Sequence, residues 1–244
     1  MAFSILARCA RTGQVGFAIA SHAVAVGRFN DGSLRPGAGG CITLGEPLPR
    51  NNRLATSLLA QGARVSHVLR ELVAVDPQAA SRQVVVIDRE GEVAVHTGSA
   101  LRPIAAHRTG AGHAVIGDGL SSEAVLDAMV ARFESAPGDE LEARLIAVLE
   151  AGRDAGGLHG ATGPCTVRSV AMTVWGIRDY SDLDLRVDLH DVDAIAELRR
   201  TYADYKPSAA YYEERARHPQ NAIPAMEFAD MLRRGVVGRA GESK

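Results

Sequence analysis

Residues 2–22 read Ala2-Phe-Ser-Ile-Leu-Ala-Arg-Cys-Ala-Arg-Thr-Gly-Gln-Val-Gly-Phe-Ala-Ile-Ala-Ser-His22. The run opens as an apolar strand, turns at Thr12-Gly13, and returns as a second strand that ends on the polar pair Ser21-His22. A tight hairpin needs a tip residue that tolerates positive φ, and Gly13 supplies it. The pattern sets the start of the chain inside a sheet, with a hydroxyl and an imidazole at the same sheet end.

Outward from this hairpin, Cys41-Ile42-Thr43 reads as a buried strand entered through the glycine-rich run that starts at Gly37. Leu54, Leu58 and Leu59, then Val65, Val68, Leu69 and Leu72, keep helical spacing. Gly62 divides them into two helices, with Ser66 as the expected N-cap of the second and Asp76-Pro77 as its stop. Gln83–Asp88 and Glu92–Thr97 read as a strand pair joined by a turn at Asp88-Arg-Glu-Gly91. The glycine-rich stretch from His107 to Gly119 reads as irregular. Ser121 or Ser122 is expected to cap a helix through Phe133. Asp139 opens another that carries Leu141, Leu145 and Leu149 and ends near Gly156-Gly157.

Cys165 to Ile177 is β-rich. Leu183, Leu185, Val187 and Leu189 alternate with Asp182, Asp184, Arg186 and Asp188, the mark of a half-buried strand. Asp191 is the expected cap of a helix carrying Ile195, Leu198 and Tyr202. Strand runs segregated from helix runs favour antiparallel sheets. Two helices after each of the first two strand sets predict an α+β fold, a four-layer αββα sandwich of two antiparallel sheets over residues 1–205. Residues 206–244, broken by Pro207, Pro219 and Pro224, read as an extension. Its Tyr211, Tyr212, Ile223, Met226, Phe228 and Met231 need a surface to cover, so a homo-oligomer is expected.

Composition narrows the function classes. The 244 residues are 46% hydrophobic but only 5% aromatic, so small aliphatic side chains must fill the core. Basic and acidic residues number 27 and 29, with no basic stripe interleaved with aromatics, so nucleic acid is not an expected partner. No apolar run reaches the roughly 18 residues of a membrane span, and no secretion signal opens the chain. Cys9, Cys41 and Cys165 are odd in number and widely spaced, against a disulfide framework or a CxxC-type zinc site. A cytoplasmic setting is the default expectation.

The element order resembles the N-terminal-nucleophile (Ntn) hydrolase fold of proteasome β-subunits. Gly117-Asp118-Gly119 before Ser121 resembles that fold's turn into a helix. Several further segments are similar to the bacterial family called domain of unknown function 1028. They include Met1-Ala-Phe-Ser-Ile-Leu-Ala-Arg8, Ser21-His-Ala-Val-Ala-Val-Gly27, Leu58-Leu-Ala-Gln-Gly62, Ala74-Val-Asp-Pro77, Ala106-His-Arg-Thr-Gly110 and Asp184-Leu-Arg-Val-Asp188. The resemblance covers roughly residues 2–206 and implies an Ntn-like fold with poorly defined activity. The chain departs from the family's pattern at three places. Ala2 stands where members often have Thr, Asp118 where Asn is expected, and Gly156–Pro164 is longer and uncharged. Removal of Met1 before a small residue would expose Ala2, and alanine is no nucleophile.

The candidate chemistry follows from residue types. Ser4 shares a strand face with Ala2 and is a possible nucleophile if a base lies near; otherwise it is an ordinary strand serine. Ser21 and His22 follow the second strand, and an imidazole with a pKa near 6.5 suits general base work. Thr43 and Glu46 place a hydroxyl and a carboxylate at one strand end. His107, Arg108, Gly117 and Asp118 lie in a segment whose backbone N–H groups can hold an oxyanion. Arg168 can hold a substrate carboxylate, or be an edge-strand charge. The spacing of His107, His113 and Asp118 matches no standard metal signature, so neither metal nor cofactor is expected. The resulting expectation is a hydrolase of a C–N bond in a small polar metabolite: an amide, ureide, lactam or imine/enamine. The alternative is a non-catalytic small-ligand-binding or assembly protein on the same fold. Convergence of Ser4, Ser21, His22, Thr43 and Asp118 on one pocket would separate the two.

Overall fold

The computed structural model describes residues 1–235. Strands β1 (Ala2–Arg8) and β2 (Val15–Ser21) form the expected hairpin, with Gly13 at φ 75° in its turn. The chain passes through a short 3-10 turn to β3 (Leu34–Arg35) and β4 (Gly39–Gly45). Helices α1 (Pro49–Ala60) and α2 (Val65–Val75) follow, separated by Gly62 at φ 84°. Next come β5 (Arg82–Asp88) and β6 (Val93–Thr97), then β7 (Ala106–Gly110) and β8 (His113–Asp118). The stretch expected to be irregular is therefore a hairpin, with Gly112 at φ 71° in its turn. Helices α3 (Ala124–Glu134) and α4 (Leu141–Asp154) lead to the short pair β9 (Leu158–Gly160) and β10 (Gly163–Cys165). Strands β11 (Ser169–Trp175) and β12 (Leu183–Val187) and helix α5 (Ala194–Tyr205) come next. Helices α6 (Ala209–Arg217) and α7 (Ala225–Arg233) complete the described elements.

The strands pair antiparallel throughout, in the orders β12-β11-β2-β1-β8-β7 and β3-β4-β5-β6, with β9-β10 apart. Strand β1 runs through the middle of the larger sheet, and this explains its largely apolar sequence. Ala2 and Leu6 pack with Ile42, Leu44, Val85, Ile87 and Ile116 in one cluster shared by the two larger sheets. Phe3 points the other way, and its ring lies close to Gly152 of α4. Leu59, Val65, Val68 and Leu72 of the first helix pair pack on Cys41, Val84 and Val86 of the smaller sheet. Each such fully buried Leu or Phe contributes about 1.5–3 kcal/mol.

Four helix starts differ from expectation. Arg64, Glu123 and Glu140 stand at the N-caps of α2, α3 and α4, without a side-chain cap bond. The cap of α5 is Asp193, two residues after the expected Asp191: its Oδ1 accepts the Ile195 and Ala196 amides at 3.1 and 3.0 Å. Packing of the apolar stripe sets where these helices begin, and a capping side chain one or two residues away contributes too little to override it.

The chain divides into two compact units, Met1–Leu198 and a second that starts at Arg199. In the second, prolines fall at element edges: Pro207 in a 3-10 turn and Pro224 at the N-cap of α7. Tyr211 stacks on Phe228 at 3.8 Å and donates from its hydroxyl to the Ile223 carbonyl. Residues 236–244 of the expected extension lie outside the described residues. No helix among the described residues is long and apolar enough to cross a membrane.

Candidate functional site

The register of the larger sheet lines up one row of residues at the end of β1. Ala2 pairs with Ser21 on one side and Asp118 on the other, and Ser21 pairs with Ser169. Ser21 Oγ donates to the Met1 carbonyl at 3.1 Å and accepts the Ala23 amide at 3.0 Å. Ser169 Oγ donates to the Ala23 carbonyl and accepts the Val26 amide, so the two serines pin the chain where it leaves β2.

A cavity of about 220 Å³ opens at this end, between the two larger sheets. Ala2, Ser21, Phe29, Thr43, Glu46 and Arg102 are among the residues lining it. Thr43 is buried and donates to Asn52 Oδ1 at 2.9 Å; Asn52 in turn donates to the Phe29 carbonyl and Ser33 Oγ. These bonds fix one wall. Arg102 forms the other. Its backbone amide donates to Asp118 Oδ1 at 2.9 Å and its guanidinium to Asp118 Oδ2 at 2.5 Å. Asp118 is only 1% exposed on its side chain, so it is a buried anchor, while Arg102 is 44% exposed. The other terminal nitrogen of the guanidinium, Nη2, lies 3.8 Å from Glu46 Oε1, and Glu46 is 68% exposed. Backbone strain adjoins the pair: Ile104 sits at φ 58°, a left-handed conformation costly for a β-branched residue.

A second cavity of about 420 Å³ shares Met1 and Arg102 with the first and adds Ile104, Leu120 and His159. The Met1 side chain lies against Gly119 and Gly160. A larger cleft of about 520 Å³ lies beside Phe17, Trp175, Arg28 and Arg186, away from the hydroxyl and carboxylate row.

The structure thus brings Ser21, Thr43 and Glu46 to one cavity, with Asp118 directly behind it. Other sequence candidates lie elsewhere. Ser4 is fully buried and donates to the Ala18 carbonyl at 2.8 Å. The His22 ring reaches the Thr166 carbonyl through Nδ1 at 2.9 Å and does not line the cavity. His107 sits on the edge strand β7 with Nδ1 2.9 Å from Thr97 Oγ1; burial and then the neighbouring Arg108 push its pKa down. Arg108 is engaged by Glu123 and Asp127 of the α3 region at 2.8 Å each, which raises its pKa. Gly117 pairs with Phe3 inside the sheet, and a side chain there would collide with Leu120. Arg168 contributes its backbone amide to the Ser21 carbonyl at 2.8 Å. Cys9, Cys41 and Cys165 are all free thiols, and burial pushes the Cys41 thiol up, which keeps it protonated. Among the described residues no three His, Cys, Asp or Glu side chains stand together as a metal site.

Sequence reasoning missed Arg102 and Asn52. Arg102 sits in a connection with no periodic pattern, and only its pairing with Asp118 across the sheet end reveals it. Asn52 falls in a polar stretch that reads as a loop; it lies instead in the first turn of α1, buried, with its side chain bonded to Thr43.

A crystal structure of protein SPO2555 from Silicibacter pomeroyi, which carries the DUF1028 label, is similar over 84% of this chain and 89% of its own, with 27% identity and a TM-score of 0.74. No curated protein matches the chain. A family model described as "Family of unknown function (DUF1028)" matches residues 2–198, and the chain belongs to that family.

Proposed function

We propose that this protein is a hydrolase of a C–N bond in a small polar metabolite, built as a four-layer αββα sandwich of the Ntn kind. Two antiparallel sheets with a shared apolar cluster, and a helix pair packed on the smaller sheet, support the fold reading. The observation that carries the chemical reading is the pair Glu46 and Arg102 across the cavity mouth, with Arg102 held from behind by buried Asp118.

In this reading Glu46 takes a proton from a water that attacks the substrate carbonyl carbon. Arg102 stabilises the oxygen as negative charge develops on it. Collapse of the tetrahedral intermediate breaks the C–N bond, and the Glu46 carboxylic acid returns the proton to the departing nitrogen. Ser21 and Thr43 have spent their protons on the Met1 carbonyl and Asn52, so each offers a lone pair to a substrate N–H. Asp118 positions Arg102 and does not touch the substrate.

A second reading, a non-catalytic small-ligand-binding or assembly protein, is favoured by one fact: neither Ala2 nor the internally bonded Ser4 offers a free nucleophile. The test is a screen of small amides, ureides, lactams and imines with ammonia release as readout. Turnover that Glu46→Gln and Arg102→Met both abolish supports the hydrolase. Saturable binding of a polar metabolite with no turnover supports the binder, and turnover unaffected by either change removes the proposed site.

A further inference from the structure

At the opposite end of β1 from the candidate site lies a pocket of about 310 Å³ lined by Arg8, Arg11, His113, Phe133, Glu134 and Arg144, among others. Its parts come from separate elements. Arg8 ends β1, Arg11 lies in the β1–β2 turn, His113 begins β8, and Arg144 projects from α4 towards the end of α3. Arg144 has a structural role: its Nη2 donates to the Phe133 carbonyl at 2.8 Å, and its guanidinium lies 3.7 Å over the Phe133 ring. That role leaves its Nε unused.

Three buried nitrogens here have no hydrogen-bond partner: Arg8 Nε, Arg144 Nε and His113 Nε2. Arg144 is 6% exposed and His113 1%. An unsatisfied buried polar group is destabilising, and more so when charged. The charges are also unbalanced: three guanidiniums line the pocket against one carboxylate, Glu134, which stands 3.7 Å from His113 Nε2 and is 57% exposed. Burial lowers the pKa of both Arg144 and His113, the expected response of cations without an adequate counter-charge.

We propose that this pocket binds a phosphate group, as free phosphate or on a small metabolite, through Arg8, Arg11 and Arg144. A tetrahedral oxyanion offers acceptors in several directions at once, which suits guanidinium donors converging from three elements. Glu134 is the one lining group that opposes it.

The experiment is isothermal titration of the full chain with inorganic phosphate and, in parallel, with glycerol phosphate, against sodium chloride at matched ionic strength. Saturable binding of a phosphate probe is expected, weakened about tenfold in Arg11→Gln and strengthened in Glu134→Gln. Arg11 is exposed and its replacement leaves the core intact, so a loss of binding there is not a loss of folding. Tighter binding of the ester assigns the site to a phosphorylated metabolite, and equal or weaker binding to free phosphate. Heats reproduced by chloride, or unchanged binding in both variants, overturn the proposal.

Discussion

Where β1 begins, at Ala2, the nearby guanidinium of Arg102 is met from behind by buried Asp118 and from the front by Glu46. Where the same strand ends, at Arg8, three guanidiniums share a pocket with the single carboxylate of Glu134, and two of them hold an unbonded buried nitrogen. One strand therefore connects a cavity whose guanidinium is fully met by carboxylates, the balanced end, to one where guanidiniums outnumber the carboxylate, the unbalanced end. A balanced pair can keep a base and an electrophilic cation apart yet ready, because each is already positioned by protein groups. An unbalanced cluster stays costly until an anion arrives from solution. The difference separates a place suited to chemistry on a polar substrate from a place suited to holding an ion.

The largest effect should come from removing the base at the balanced end. Glu46→Gln is expected to lower kcat/KM by about 10²- to 10⁴-fold on a substrate found by ammonia release. Its melting temperature should stay near wild type because the side chain is mostly exposed. His22→Ala, whose ring is turned to Thr166, should keep near-wild-type kcat/KM. The reverse pattern in these two variants would move the base to His22.

Asp118→Asn takes away the buried carboxylate that holds Arg102. Removing one partner of a wholly buried ion pair costs about 3–5 kcal/mol. Arg102 is half exposed, so a loss of about 2–3 kcal/mol in a urea unfolding experiment is expected. An unchanged midpoint would mean that Asp118 does not anchor Arg102.

A third charge pair, Asp76 with Arg82, borders the candidate site, because Arg82 Nη1 also donates to the Glu46 carbonyl. Asp76 is buried against Arg82 at 2.7 Å and accepts from Asn51 at 2.8 Å. Burial alone would raise its pKa, but the bonds from Arg82, the Gln78 amide and Asn51 outweigh burial and hold it below the usual 3.8. A depressed folded pKa gives stability that is complete above the unfolded value and lost as pH falls through the folded one. Wild-type stability should therefore drop below about pH 4, and this part of the acid limb should flatten in Asp76→Asn when melts are followed from pH 5 to pH 2.

The smallest effect should come from Ser4→Ala. It removes one buried hydroxyl bond to the Ala18 carbonyl, worth about 1 kcal/mol, and should leave kcat/KM intact. Lost activity with retained stability would restore Ser4 as a nucleophile and break the assignment of chemistry to the Glu46–Arg102 pair.

The sequence by itself determined the local pieces of this protein. Apolar runs and glycine turns marked the hairpins at residues 2–21 and 83–97, and apolar residues at helical spacing marked α1 to α4, because these signals lie within one element and its turn. Ser21, Thr43 and Glu46 were legible as polar residues at strand ends, and Asp118 as a polar residue in a glycine-rich segment. The β7–β8 hairpin was not, since its glycines and exposed alternate residues read as a loop until β8 is seen paired to β1 in the buried centre of the sheet. Only the tertiary structure decided which polar residues meet. Register put Asp118 beside Ala2, the turn towards Thr166 took the His22 ring out of the cavity, and the connection after β6 brought Arg102 over it. Convergence of side chains depends on contacts between residues distant in the chain, and no local spacing encodes those distances.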